Sequence, residues 1–421
     1  MSNGYKINRS MEEIDRSKYI IAKYYIESKT NFEDAAKSIA LGQSIGPLSI
    51  RTKYESVELF EKYGAKIIGS IPNTNKGIVE IAFPSHNINP VTDGITQLFC
   101  TLAGSLYDIE ILKNVKLLDF EIPDSWASAF TGPKFGLKGI REILGVYNRP
   151  LLGAIIKPKT GLDPKILSQI CYDLAIGGCD FIKEDEILGN PTFCPMEKRV
   201  PIIVEILKKA ESETGNKTLY APCLTVDVKY LRDHARKAVE LGATALHFNI
   251  YSGISSYRMI ADDDQINVPI LVHRGGDLAY AKNQFHGIDQ LVIFKAIRLC
   301  GGDITHAGML GGYIATPTDK MQINMDVLKG SFHGFKTTVP AISGGMHPGL
   351  VHINLKYLGI DVMLMVGGAI MGYRDGITSG TKAMRQAIDA ECAGISIKEA
   401  VKEYKELKNA LDIWGFVNTL E

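Results

Sequence analysis

None of the seven cysteines, at positions 100, 171, 179, 194, 223, 300 and 392, forms a C-x-x-C pair, and most lie inside apolar runs. They read as reduced, buried thiols, which points to a cytoplasmic protein. No run of about 18 apolar residues occurs, and the polar stretch Met1 to Lys18 has no apolar leader segment. Membrane insertion and secretion are both disfavoured. Charge of one sign is not in excess either: 47 lysines and arginines balance 47 aspartates and glutamates. A nucleic-acid or anionic-membrane partner would need a basic excess or stripe, so neither is expected. Low-complexity segments are missing, as is any repeat beyond a strand–helix unit. What the chain has in quantity is apolar residues, 45% of 421, enough for a large core in two or three domains.

From Pro150 onward, apolar strands alternate with amphipathic helical stretches eight times in one uninterrupted span. The strands read near 151–156, 180–183, 218–223, 245–249, 268–272, 303–306, 338–342 and 361–366. Helical patterns fall between them, as at Asp163–Ile176, Pro201–Glu213, Leu231–Leu241, Gln290–Leu299, Met321–Leu328 and Thr381–Glu391. Glycines at 177–178, 242, 301–302 and 359 sit where those helices should stop. The expectation is an α/β protein with a C-terminal (β/α)8 TIM barrel over 149–395. Before it, 1–148 mixes strand-like and helical segments and predicts a small α+β domain. A helical, charged tail follows over 396–421.

In such a barrel the active face is built by the loops after the strands. Residues at those ends are, in order, Lys157 and Lys159, then Lys183, Asp185 and Glu186, Asn249, His273 and Arg274, His306, Ser343-Gly344-Gly345, and Gly367-Gly368. Lys183 and Asp185 lie two apart and share one side of a strand, with Glu186 starting the next loop. Two carboxylates beside a lysine make a hard-oxygen Mg2+ site if the lysine is converted by CO2 to a carbamate, because an ammonium would repel the ion. An ordinary ion-pair cluster at a barrel rim is the competing explanation. Lys157 is the natural base, since an ammonium beside a divalent ion and partly desolvated gives up its proton more readily. A structural lysine paired to a carboxylate would look the same. His273, Arg274 and His306 suit an anionic substrate or proton handling. The glycine pairs at 344–345 and 367–368, after the seventh and eighth strands, form the usual phosphate cradle of a barrel.

These residues resemble the RuBisCO large-subunit superfamily over essentially the whole chain. The resemblance rests on Ile156-Lys157-Pro158-Lys159-x-Gly161, the Gly177-Gly178 to Glu186 run, Val272-His273-Arg274, Gly301-Gly302-Asp303 with His306, and Ser343-Gly344-Gly345-x-His347. It implies Lys183 as the carbamylated ligand of Mg2+ with Asp185 and Glu186, Lys157 as the enolising base, Lys159 as its supporting lysine and His273 as a proton-handling residue. Arg274, His306, Asn249, Ser343, Gly344, Gly345, Gly367 and Gly368 would contact substrate and phosphate. It also implies a homodimer or dimer-based oligomer whose sites are shared between subunits, with Gln43, Ser44 and Ser105 lining the site in trans.

Three departures matter for the reaction. Where carboxylases carry a CO2-polarising lysine, seven residues beyond His306, this chain reads Gly311-Gly312-Tyr313. The family's N-terminal glutamate is replaced by Gly42 within Gly42 to Leu48, and its asparagine after a glycine is Ser105. The pattern therefore resembles the RuBisCO-like proteins, form IV, which keep enediolate chemistry without fixing CO2. The expected function is Mg2+-dependent enolisation, by proton abstraction, isomerisation or decarboxylation, on a phosphorylated keto-sugar or 3-oxo sugar acid. A methionine-salvage enolase or isomerase acting on a methylthio-pentose phosphate derivative is an alternative, although that subgroup has a lysine at the position of Ser105. An inactive metabolite-binding barrel is a further alternative, and a true carboxylase ranks last. Tyr313 reshapes the pocket, serves as a weak acid, or merely fills the loop.

Overall fold

The computed structural model describes residues 5–46 and 52–420, and the chain divides into two compact units. One comprises Met1–Thr131 with Gly276–Leu299, the other Gly132–Gly275 with Cys300–Glu421. Strands in the first are β1 (Tyr19–Ser28), β2 (Lys66–Asn73), β3 (Lys76–Pro84) and β4 (Leu112–Glu121). β1 buries Ile20, Ala22, Tyr24 and Ile26, the alternate residues of one face, and pairs antiparallel with both β3 and β4. β2 and β3 form a hairpin turning at Thr74-Asn75, with Thr74 at a φ of 58°. The helix Phe32–Gly42 buries Phe32, Ala35, Ala36 and Ile39; the Asn31 side chain accepts the Asp34 N–H at 2.8 Å and starts it.

The second unit holds the expected barrel. Its strands are β5 (Leu151–Ile155), β6 (Phe181–Lys183), β7 (Leu219–Ala221), β8 (Leu246–Asn249) and β9 (Ile270–His273). The chain then contributes β10 (Gly287–Ile288), which pairs parallel with β4 in the first unit's sheet. It returns as β11 (Ile304–Gly308), β12 (Val339–Ile342) and β13 (Met363–Val366). The eight-stranded sheet runs β7-β6-β5-β13-β12-β11-β9-β8, parallel throughout, and a bridge between Cys223 and His247 closes it.

Inward-facing side chains change character along the strands. The early positions, Leu151, Phe181, Leu219, Ala245, Leu271, Ile304, Val339 and Met363, form one apolar cluster, into which the helix Gly136–Leu144 inserts Ile140 and Leu144. Buried Asp303 accepts the N–H groups of Phe135 and Gly136 at 2.7 and 2.8 Å and so holds the start of that helix. Two residues later on β6, β8, β9 and β11 the inward positions are Lys183, His247, His273 and His306. Polar groups therefore gather toward the strands' C-terminal ends.

Several helix boundaries differ from the sequence reading: the helices expected from Leu231, Met321 and Thr381 start at Val228, Thr318 and Ile377. The helix expected from Pro201 starts at Met196 after Pro195 and carries Pro201 inside it. Its first turn is anchored through its own Arg199, whose guanidinium donates to Glu184 and to the carbonyls of Gly189 and Cys194 outside the helix. The helical tail is broken into Ile397–Ala400 and Lys405–Trp414, because Tyr404 adopts extended backbone between them.

Candidate active site

The strand ends β5 and β6 are adjacent, and Ile156 N–H bonds to Lys183 O at 3.1 Å, so the first lysine run and the acidic run meet. Lys157 Nζ donates to Asp185 Oδ2; the Asp185 side chain is fully buried and that of Lys157 is 31% exposed. Lys183 is also fully buried, donating to its neighbour's carbonyl, Glu184 O, at 2.9 Å and lying 3.9 Å from Glu186 Oε2. Lys159, half exposed, is 4.0 Å from Glu186 Oε1. Burial pulls the Lys183 amine below its ordinary pKa, against the opposing pull of Glu186 and Asp185. Burial pushes the Glu186 carboxyl up, but the charge of Lys183 and the hydrogen bonds it accepts hold it below its ordinary pKa overall.

His273 joins the cluster through Nε2, 3.4 Å from Glu186 Oε2. Its Nδ1 faces Gly275 N–H and the Asn249 amide, each at 3.2 Å, so we assign Nδ1 as acceptor and the ring proton to Nε2. Burial, then the charges of Lys183 and Arg274, push His273 down to about 2 and keep it neutral. His306 stacks edge-on against it, with ring centroids 4.9 Å apart, and is held neutral by the same burial. His306 Nδ1 meets Ser343 Oγ at 2.8 Å, and its backbone carbonyl accepts from Arg274 Nε. His306 is thus a neutral hydrogen-bonding group rather than a second cation beside Arg274.

The four glycines differ in their surroundings. A Cβ on Gly367 would come no nearer than 3.8 Å to Lys157 Cε, and one on Gly368 would meet nothing within 4 Å. Gly344 and Gly345, at φ of 127° and 111°, face side chains of the preceding loop instead: their Cβ positions fall 3.2 Å from Ile314 Cβ and 2.7 Å from Tyr313 Cδ1.

Two features escaped the sequence reading. Glu184, pointing out of the barrel between two site residues, forms a fully buried pair with Arg199, Nε to Oε1 at 2.7 Å and Nη2 to Oε2 at 3.0 Å. It also accepts the Tyr220 hydroxyl at 2.5 Å and the Cys223 N–H at 2.7 Å. His247, completely buried, has neither ring nitrogen hydrogen-bonded and lies 6.5 Å from the His273 ring centroid. The alternation Leu246-His247-Phe248-Asn249 places His247 on the side of Asn249 and was the available signal. In the first unit, Ser44 Oγ donates to Ala40 O at 2.6 Å, Gln43 caps the helix Phe32–Gly42, and Ser105 opens a short turn after Gly104. Pro47 and Leu48 of the departing N-terminal stretch lie outside the described residues.

No group of three His, Cys, Asp or Glu stands ready to hold a metal among the described residues. Asp185 and Glu186 supply oxygen donors, and reaction of the buried Lys183 amine with CO2 would add another. The residues therefore fit Mg2+, which takes oxygen ligands.

Residues 136–414 match the ribulose bisphosphate carboxylase large chain, catalytic domain, and residues 10–126 match its N-terminal domain. The chain is 34% identical to 2,3-diketo-5-methylthiopentyl-1-phosphate enolase of Geobacillus thermodenitrificans, covering 94% of this chain and 98% of the relative. It is 32% identical to ribulose bisphosphate carboxylase of Pyrococcus abyssi, covering 96% and 95% respectively. The structure of an octameric ribulose-1,5-bisphosphate carboxylase/oxygenase from Pyrococcus horikoshii OT3 is similar with a TM-score of 0.92 at 31% identity, over 97% of this chain and 96% of that one. An enolase and a carboxylase are thus about equally similar in sequence, both along nearly their full length. With both family domains matched in order, the chain belongs to the ribulose bisphosphate carboxylase large-chain family.

Proposed function

We propose that this protein is a RuBisCO-like enzyme that enolises a phosphorylated keto-sugar or 3-oxo sugar acid and does not fix CO2. The observation that carries this reading is the contact of Lys157 with Asp185, one strand from Lys183 and Glu186. It puts an amine base beside the candidate ligands of a divalent ion. Lys157 takes or returns the proton on the carbon next to the substrate carbonyl, and Asp185 orients its amine. Lys183, Asp185 and Glu186 hold Mg2+, with Lys183 as its carbamate; when bound, the ion polarises the carbonyl and steadies the negative charge that follows proton loss. His273, neutral with its proton on Nε2, offers a hydrogen-bond donor at that face. Lys159 adds positive charge nearby, and Asn249 fixes the His273 ring. Gly367 and Gly368 present open backbone to a phosphoryl group, with Arg274, His306, Ser343, Gly344 and Gly345 as further substrate contacts. Carboxylation is disfavoured because the loop Ala307–Pro317 has no charged residue to stabilise a forming carboxylate.

The methionine-salvage reading is favoured by the enolase relative and weakened by Ser105, which carries no amine base. The working unit is a homodimer or a multiple of it, in keeping with the octameric relative. The test is proton NMR in D2O, with Mg2+ and bicarbonate, across phosphorylated ketoses and 3-oxo sugar acids, including ribulose bisphosphate. Deuterium uptake at the carbon beside a carbonyl, or release of CO2, is the expected result and distinguishes enolisation from decarboxylation. Silence across the panel with Mg2+ bound would overturn the enzymatic reading.

A further inference from the structure

In a (β/α)8 barrel the inward side chains of alternate strands lie in shared layers. The register puts Lys183 of β6, His247 of β8, His306 of β11 and Met365 of β13 in one of them. From Lys183 the ladder leads through Ala221 to Cys223, two residues on, which bridges His247. From His247 it leads through Leu271 to Ile304, two before His306, and from His306 through Ala341 to Met363, two before Met365. Strand tilt takes up this regular advance, so the side chains lie level. The neighbours of Lys183 within the layer are thus His247 and Met365, and only the first is polar.

This layer is dry and short of hydrogen bonds. His247 is 0% exposed, and neither of its ring nitrogens has a partner among the described residues. An imidazole carries an N–H in either tautomer, so a buried donor is left unspent, which a close-packed interior rarely keeps without a use. Nearby groups are already engaged: His273 Nδ1 faces Gly275 N–H and the Asn249 amide, and His306 Nδ1 faces Ser343 Oγ. After burial itself, the charge of Lys183 is what most depresses the basicity of His247. Lys183 in turn makes one hydrogen bond among the described residues, Nζ to Glu184 O at 2.9 Å. With one N–H held on that carbonyl, the rest of the amine points away from the backbone of β6.

Resting on the carbamate reading above, we infer that His247 is a positioning residue, whose ring N–H donates to the carboxylate formed when CO2 adds to Lys183. In that addition the Nζ lone pair forms the N–C bond, one C–O π bond of CO2 breaks, and one amine proton passes to solvent buffer. Nζ keeps its other N–H on Glu184 O. One of the two new oxygens accepts from His247, which leaves the second for Mg2+. The unpaired imidazole is therefore a donor whose partner arrives with CO2.

Carbon NMR of the full-length protein, titrated with isotope-labelled bicarbonate at fixed Mg2+ and without substrate, reads the adduct directly. The wild type should give a carbamate signal that Lys183→Met abolishes. His247→Leu should need about tenfold or more bicarbonate for half occupancy. His247→Asn and His247→Gln place an amide N–H near one or the other ring nitrogen, and one of them should recover most of that loss. Thermal unfolding without bicarbonate should find His247→Leu no less stable than the wild type, because leucine removes an unpaired polar group. Half occupancy of His247→Leu at the wild-type bicarbonate concentration would overturn the role of His247 and leave the carbamate standing. A loss that neither amide recovers would assign the effect to packing and overturn the donor. Absence of the signal from the wild type would instead overturn the carbamate on Lys183, and this inference with it.

Discussion

Lys66 in the first unit and Lys183 in the second are both buried lysines, 2% and 0% exposed, and burial is the leading cause of lowered basicity in each. Their surroundings differ. Lys66 lies over the face of Phe60, 3.3 Å from the ring centroid, donates to Phe60 O at 2.8 Å and has Glu61 at 3.8 Å. Those groups offset part of the cost of burying the charge, and burial still lowers its pKa to about 8. Lys183 has one neighbouring carbonyl and a carboxylate at 3.9 Å, among three neutral imidazoles. The same residue type at the same depth meets an aromatic face and a carbonyl in one unit and the candidate ligand cluster in the other. Burial alone does not distinguish chemistry from architecture; the partners do.

The largest effect that would sharpen this contrast is on turnover. Lys183→Met should lower substrate deuterium exchange by about a thousandfold or more, while Lys66→Met leaves it unchanged and changes only the melting temperature. Exchange by Lys183→Met at the wild-type rate would break the comparison. On the outer face of β6, Arg199→Met strands the buried Glu184 carboxylate and should destabilise by about 3–5 kcal/mol in urea titrations. Adding Glu184→Gln should recover part of that loss, since no bare charge then remains.

Two further outcomes concern pH. Lys66 has a folded pKa of about 8 against 10.5 unfolded, so between these values the unfolded chain binds the extra proton. Stability should therefore rise through that window by up to about 3 kcal/mol, and Lys66→Met should abolish the rise. Around Lys183 the sign is the same but the window is acidic. His247, His273 and His306 stay neutral when folded, whereas unfolded imidazoles protonate below 6.5. Stability is fully present above that pH and declines as pH falls. His247→Leu should make the decline shallower by up to about 1.4 kcal/mol per pH unit, measured by urea unfolding between pH 6.5 and 4.

The barrel was legible in the sequence because its strands are short apolar runs whose ends carry polar residues, as at Ile156-Lys157 and Ile182-Lys183. Alternation along β6 also foretold Lys183 facing inward with Asp185 near it. What alternation cannot supply is the partner of an outward residue. Arg199 reaches Glu184 from a helix 15 residues on, and nothing in either segment marks the pairing. The seating of Tyr313 on Gly345 was equally invisible, since it joins two loops across a strand pair. Pro201 misled because a proline is a good opening residue for a helix, and here the start is set earlier, with Arg199 anchored outside it.

The barrel has a join. Seven neighbouring strand pairs are stitched by backbone ladders, but β7 and β8 meet through the Cys223–His247 bridge, next to Pro222, which has no N–H to give. The N–H of Cys223 goes instead to the Glu184 carboxylate, which also takes the Tyr220 hydroxyl from β7 and is clamped by Arg199. Backbone bonds also cross this join, Ala245 N–H to Tyr220 O at 2.9 Å and Leu224 N–H to His247 O at 2.8 Å, and a side chain from β6 works as an added fastener beside them. Loosening that fastener should show up in hydrogen exchange as early opening at 220–225 and 245–249, well before the opposite wall of the barrel lets go.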